Sequence, residues 1–238
     1  MCIRDSTKGG SSLTDNGGPT FDYYDTLGSS TAVITCYAKG TMVTTEHGEV
    51  PVEKLREGDL VLTLSGDYSP VKWLGHRRID CKQHANPADA YPVRIVQDAF
   101  GLNMPSRDLF LSPLHSVFVD GIFVPVIDLV NDVTIYQEVR SKITYYHVEL
   151  PKHDVIFAEG LTAETYLDDN NRDFFIDANT DVIPLGEPSM PKMTSAEIWT
   201  AQGFAKVHRE GPEVDAIRKK LLEQAAQLVG KKAQKKRA

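Results

Sequence analysis

From Cys36 to about Leu167, short apolar and β-branched bursts follow one another, each closed by turn residues. Thr31-Ala32-Val33-Ile34-Thr35 leads into Cys36. Met42-Val43-Thr44-Thr45, the turn Glu46-His47-Gly48-Glu49 and Val50-Pro51-Val52 predict a hairpin. Leu60–Leu64 follows the turn pair Gly58-Asp59 and stops at Ser65-Gly66-Asp67, and Val71–Leu74 and Pro92–Val96 are further candidate strands. His115–Val119 and Ile122–Val126 flank Asp120-Gly121, a dipeptide suited to the positive φ values of a tight hairpin turn. Ile143–Leu150 and Asp154–Ala158 complete the series. Closely spaced strands with little helical pattern predict an all-β domain over residues 36–167, long enough to bury a core. No internal repeat stands out.

The flanks differ in character. Met1-Cys2-Ile3-Arg4-Asp5-Ser6 matches an in-frame translation of a sequencing-adapter tail, so residues 1–6 are expected to be a scar and the natural N-terminus to be missing. Residues 7–35 are rich in Gly, Ser, Thr and Asp and are expected to be a linker, the tail of an upstream protein. Residues 168–238 form a C-terminal extension. It opens on the polar turn Asp168–Arg172 and continues through a Pro-rich, irregular stretch at 176–195. Pro212 then starts a helix over about 212–229, with Val214, Ile217, Leu221, Leu222, Ala225 and Leu228 at helical spacing and Gly230 as its stop. Lys231, Lys232, Lys235, Lys236 and Arg237 suit a solvated helix end, where cations favour the dipole; nucleic-acid or membrane contact is the alternative.

Composition narrows the field. The 238 residues are 41% hydrophobic and 25% charged, with 17 Gly and 13 Pro, values that exclude wholesale disorder, collagen and coiled coil. No apolar run is long enough to span a bilayer. A net charge of −7 argues against a nucleic-acid partner, whose footprint is basic. Three cysteines are too few for a disulfide framework, which leaves their chemistry as a reason for their presence. Cys81 forms Cys-x-x-His with His84, near His76, but no second ligand pair follows, and a lone thiol is the simpler reading. No metal or organic cofactor is expected.

Three stretches carry a shared pattern. The first is Cys36-Tyr37-Ala38-Lys39-Gly40-Thr41-Met42-Val43, followed by Val52-Glu53-Lys54-Leu55-Arg56-Glu57-Gly58-Asp59. The second is Leu111-Ser112-Pro113-Leu114-His115-Ser116-Val117-Phe118-Val119-Asp120-Gly121. The third is Tyr146-His147-Val148-Glu149-Leu150-Pro151-Lys152-His153-Asp154, running on to Ala158-Glu159-Gly160-Leu161. In this order they resemble the Hint superfamily of hedgehog autoprocessing domains and inteins, most closely the bacterial Hint domains that end larger proteins. The resemblance implies a pseudo-twofold all-β horseshoe and an N-to-S acyl shift, with Cys36 as nucleophile and Thr35–Cys36 as the scissile bond. Residue chemistry agrees. A thiolate is a good nucleophile, and a cysteine where linker meets domain is expected to be accessible.

Because a peptide is more stable than a thioester, the shift needs a proton for the departing amine and a strained or polarised bond. His115, with an ordinary pKa near 6.5, is expected to supply that proton. Taken alone it would be an ordinary half-buried histidine. Ser112-x-x-His115 resembles the family's Thr-x-x-His motif, and Ser112 with backbone N–H groups is expected to hold the oxyanion. His147 occupies the place of an assisting Asp, and His153 falls near a further family histidine. Asp89 lies where a hedgehog Asp would activate a sterol, but its surroundings are irregular and no role is assigned to it.

Inteins end the third stretch in His-Asn, whose Asn cuts the C-terminal junction. Glu164-Thr165 stands at that place here, and Asn170 and Asn171 come later. The expected outcome is therefore cleavage at the N-terminal junction without splicing. The implied partner is the upstream segment in cis, with water or a small nucleophile as acyl acceptor. The resemblance implies a bacterial setting, and the linker composition suits a secreted or cell-surface upstream protein. The alternatives are an inactive Hint-fold interaction or secretion module and a cysteine hydrolase acting in trans.

Overall fold

The computed structural model describes residues 35–168, 172, 175–177 and 195–235. Residues 1–34, which hold the expected scar and almost all of the expected linker, lie outside the described residues, as do Asn170, Asn171 and most of the Pro-rich stretch.

The strands run β1 Tyr37–Ala38, β2 Met42–Thr45, β3 Gly48–Pro51, β4 Leu60–Leu62, β5 Tyr68–Pro70, β6 Trp73–Asp80, β7 Val93–Ile95 and β8 Leu109–Leu111. They continue as β9 Ser116–Val119, β10 Ile122–Pro125, β11 Ile135–Gln137, β12 Lys142–Glu149, β13 Val155–Ala158, β14 Leu161–Glu164 and β15 Ile176–Asp177. Two helices follow, α1 Ser195–Gln202 and α2 Pro212–Lys235. The body is all-β, as expected from the sequence. One antiparallel sheet has the order β11-β7-β8-β1-β12-β6-β15, and the other β10-β9-β14-β13-β2-β4-β5 with β3 on β2. The frame of the first sheet is the full eight-residue register of β12 on β6, from Lys142↔Asp80 to Glu149↔Trp73.

A repeat missed in the sequence becomes visible here. Val50-Pro51-Val52-Glu53-Lys54-Leu55 and Val124-Pro125-Val126-Ile127-Asp128-Leu129 each end a hairpin and enter a single 3₁₀ turn. Pro51 (φ −56°, ψ 135°) and Pro125 (φ −57°, ψ 134°) have the same backbone conformation. Proline fits because its fixed φ starts the turn. The second hairpin closes through Asp120 (φ 51°) and Gly121 (φ 88°), the positive-φ pair expected for that dipeptide.

The main core joins residues of both sheets, among them Val43, Val61, Leu74, Val93, Leu111, Val117, Val148 and Ile156. It also includes Val214, Ile217 and Leu221 of α2. The extension is thus packed onto the body. Three expectations for it change. Helix α2 runs through Gly230 to Lys235, because Gly230 keeps a negative φ and so does not turn the chain. Leu222 is exposed, and the buried stripe is Val214, Ile217, Leu221 and Ala225. The irregular stretch begins with a strand, β15, on the edge of β6, pairing Ile176 with His76.

Candidate active site

Strand β1 is only two residues long, yet it sits in the middle of its sheet. Tyr37 pairs with Leu111 of β8 on one side and with Tyr146 of β12 on the other. One residue back along both registers, Cys36 falls beside Ser112 and His147. The peptide Thr35–Cys36 is therefore held by the two strands that carry the second and third sequence stretches.

The contacts follow from that register. The Cys36 N–H donates to Ser112 Oγ at 2.7 Å, and the Ser112 N–H donates to the Cys36 carbonyl at 2.9 Å. Thr35 Oγ1 lies 3.4 Å from His147 Nδ1. The His115 imidazole lies against the backbone of Thr35 and of Glu164, and neither of its buried ring nitrogens has a well-formed hydrogen bond among the described residues. His115 packs on Tyr37, with ring centroids 4.4 Å apart, and on His147 at 5.7 Å. Four of the five predicted site residues, Cys36, Ser112, His115 and His147, thus meet at the predicted scissile bond. His153 is buried too, against Phe123 and Trp199, with its ring 5.0 Å from the Trp199 ring.

Three details differ from the sequence expectations. Cys36 is not accessible: it has no exposed surface and packs with Ala38, Trp73, Cys81, Tyr145, Tyr166 and Phe175. Burial pushes its thiol well above the ordinary range, with the Arg77 charge pulling back and the Glu164 charge adding to the rise. Second, His115 is uncharged near neutral pH, so it lacks the imidazolium proton expected of an ordinary histidine. Burial lowers its pKa to about 3, although the Thr35 and Glu164 backbone favours the charged form. Burial likewise holds His147 well below its ordinary value and takes His153 to about 4. All three imidazoles are neutral at pH 7. Third, Ser112 Oγ lies on the nitrogen side of the peptide, not at the carbonyl.

Two residues at the site had no role in the sequence reading. Glu164, taken only as the residue standing at the His of the intein His-Asn pair, is a buried carboxylate whose Oε1 accepts the Ser116 N–H at 2.7 Å. Tyr37 donates its hydroxyl to the Glu164 carbonyl at 2.7 Å and forms the floor under His115. The signal for Tyr37 was available in its position directly after Cys36; Glu164 gave none, because its burial is a tertiary effect.

The segment after the body closes over one side. Phe175 packs 6.0 Å from the His147 ring and 5.9 Å from Tyr166, and Arg172 lies over Trp73 and pairs with buried Glu149. Gly75 opposes His147 across β6 and β12, and the Trp73 indole crosses it so closely that a Cβ there would sit 2.0 Å from the ring. Any other residue at 75 would displace that ring. Among the described residues no group of three or more His, Cys, Asp and Glu is placed to hold a metal ion. The half-buried His84 has its Nδ1 2.7 Å from the Asn86 carbonyl. No helix among the described residues is long and apolar enough to cross a membrane.

A fold of the autoprocessing type, with its first peptide clamped in mid-sheet, defines the class. A family model of the Hint domain matches residues 35–170, more than half of the chain, and the chain belongs to the Hint-domain family. Among solved structures it is similar to the bacterial intein-like domain from Clostridium thermocellum at 12% identity, covering 56% of this chain and 99% of that one, with TM-score 0.42. The gp41-1 intein is 12% identical over 55% of this chain and 98% of that one, with TM-score 0.39. A DnaB intein from Synechocystis sp. PCC 6803 is 8% identical over 56% and 99%, with TM-score 0.39. No curated protein matches the chain in sequence.

Proposed function

We propose that the protein cuts its own chain at Thr35–Cys36, once and in cis, without splicing. The observation that carries this reading is the grip of Ser112 Oγ on the Cys36 N–H at 2.7 Å, which fixes the plane of the peptide to be broken. Cys36 Sγ adds to the Thr35 carbonyl carbon. Both thiol and imidazole start neutral, so His115 takes the thiol proton as sulfur bonds to carbon and passes it to the Cys36 nitrogen as the C–N bond breaks. The products are a thioester on Cys36 and a neutral α-amine beside Ser112. The oxyanion develops at the Thr35 carbonyl, against which the His115 ring lies, so that imidazole serves both atoms of the bond. His147 steadies Thr35 through its hydroxyl. His153 supports the group from the side of the extension.

The acyl group then passes to water or to a small nucleophile, and the thiol is restored. Glu164-Thr165, standing where inteins carry His-Asn, supplies no side-chain amide to cyclise, which supports cleavage at the N-terminal junction alone. The upstream segment in cis is the partner. Complete burial of Cys36 weighs against hydrolysis in trans, because an incoming substrate would have to open the sheet to reach sulfur.

The test is expression with an affinity tag before Thr7, followed by mass spectrometry with and without hydroxylamine. The expected product begins at Cys36, is enhanced by hydroxylamine and is absent in Cys36→Ala. An intact chain under every condition overturns the proposal in favour of an interaction or secretion module. Turnover of an added ester without self-cutting overturns it in favour of a hydrolase.

A further inference from the structure

The extension reaches His153, the fifth predicted site residue. The Phe204 N–H donates to His153 Nδ1 at 3.0 Å. That amide is held by its neighbours. The Phe123 N–H donates to the Lys206 carbonyl at 3.0 Å and the His208 N–H donates to the Phe123 carbonyl at 2.8 Å, so residues 206–208 form a parallel bridge to Phe123 of β10. The Phe204 ring packs 5.6 Å from Phe118 and 6.3 Å from Phe123. Beyond it, Arg209 pairs with Asp128 at 2.8 Å, Arg218 Nε donates to the Asp128 carbonyl at 2.7 Å, and Lys220 pairs with Asp120 at 2.5 Å. The arm is thus tied to the second hairpin at several points before α2 enters the core.

We infer that the Phe204 backbone N–H is a positioning group that fixes His153 in its Nε2–H form, and that through this imidazole the arm of residues 199–208 bears on the proposed self-cleavage. The inference rests on the proposed function for its consequence and on geometry for its substance. An N–H pointed at Nδ1 requires a lone pair there, so the proton of the neutral ring sits on Nε2. The ring cannot turn over, because Phe123 stands on one side at 5.5 Å and Trp199 meets it edge to face at 5.0 Å. A charge on His153 would oppose charge on both His115 and His147. The arm keeps that charge away, since protonation would set a second N–H against the Phe204 amide. Phe204 thereby acts on the chemistry of the bond at Cys36 through one imidazole, although it belongs to none of the three family-like stretches.

Two readouts test this in the full chain. The first uses the uncut Cys36→Ala protein, labelled with ¹⁵N histidine, and long-range ¹H–¹⁵N spectra. His153 is expected as a single Nε2–H tautomer, becoming a mixture in Cys36→Ala/Phe204→Pro, which lacks the N–H, and returning to one tautomer in Cys36→Ala/Phe204→Leu, which keeps it. The second is the rate of appearance of the Cys36 product in chains that retain Cys36. Phe204→Pro is expected to slow it by at least about tenfold, and Phe204→Leu to restore most of the rate. An Nδ1–H tautomer in the parent, or a Phe204 amide that exchanges at the unprotected rate, overturns the inference even if Phe204→Pro fails to fold. A parent chain that never cuts defeats the proposed function and leaves the tautomer measurement to decide this one.

Discussion

Ser112 holds Cys36 at both ends of one residue: its hydroxyl accepts the Cys36 N–H at 2.7 Å, and its own N–H donates to the Cys36 carbonyl at 2.9 Å. The second contact is an extension of the sheet ladder. The first replaces a ladder acceptor with a side chain, exactly where the chain would leave the sheet. Replacing Ser112 by Ala leaves a buried N–H unpaired. The Cys36→Ala/Ser112→Ala chain is expected to lose about 1–3 kcal/mol of stability in urea denaturation relative to Cys36→Ala. In chains retaining Cys36, Ser112→Ala slows cleavage and Ser112→Thr, which keeps the hydroxyl, preserves it. Equal rates for the parent and Ser112→Ala would show that the grip is only structural.

His115→Gln removes the proposed proton carrier while keeping a polar side chain of similar reach. Cleavage is expected to fall by about 10²–10⁴-fold, the usual range for a general acid–base group. His147→Gln is expected to cost less, since His147 touches the Thr35 side chain at 3.4 Å and not the bond itself. Time courses of product formation measured by mass spectrometry rank the two, and the reverse order would exchange their roles.

The buried histidines make the fold sensitive to acid. An unfolded histidine binds its proton near pH 6.5. In the folded protein His153 does so only near 4 and His115 only near 3. The unfolded state thus takes up protons first, so stability is fully present above about pH 6.5 and falls as pH drops toward the folded values, by a few kcal/mol per histidine at most. Urea midpoints of the Cys36→Ala protein between pH 7.5 and 4 are expected to fall steadily. Adding His153→Gln reduces the slope; an unchanged slope would mean that His153 is protonated at its ordinary pH.

Cys36 and Cys81 both have no exposed surface. In a His115→Ala chain with Cys2 replaced by Ser, both thiols are expected to resist a water-soluble alkylating reagent and to label together on unfolding. Rapid native labelling of Cys36 would show an open site and revive the hydrolase reading.

Ile217 of α2 is buried in the main core, so Ile217→Ala is expected to destabilise the whole domain by about 2–5 kcal/mol. A single unfolding transition that shifts as a unit checks this. A separate early transition for the helix would make the extension an independent module.

The order of the elements and the convergence of Cys36, Ser112, His115 and His147 were legible because strand register carries sequence spacing directly into space. Cys36 lies one residue before a paired Tyr37, Ser112 one after a paired Leu111, and His147 one after a paired Tyr146. Burial was not legible. Cys36 stands where the expected linker meets the domain and so looks accessible, and only the insertion of β1 between β8 and β12 shows that it is enclosed. The same enclosure explains why an ordinary histidine pKa was the wrong guide for His115. The Val-Pro-Val-x-x-Leu repeat was present in the letters but is too short to stand out without the matching 3₁₀ turns. The contact between Phe204 and His153 joins residues 51 apart in the chain, and no local pattern announces it.

Val214, Ile217 and Leu221 complete a core begun by residues far upstream. During synthesis, this shared core is complete only once α2 has left the ribosome. Under the proposed function, the cut at Cys36 would wait on α2, because the body that clamps the bond shares its core with that helix.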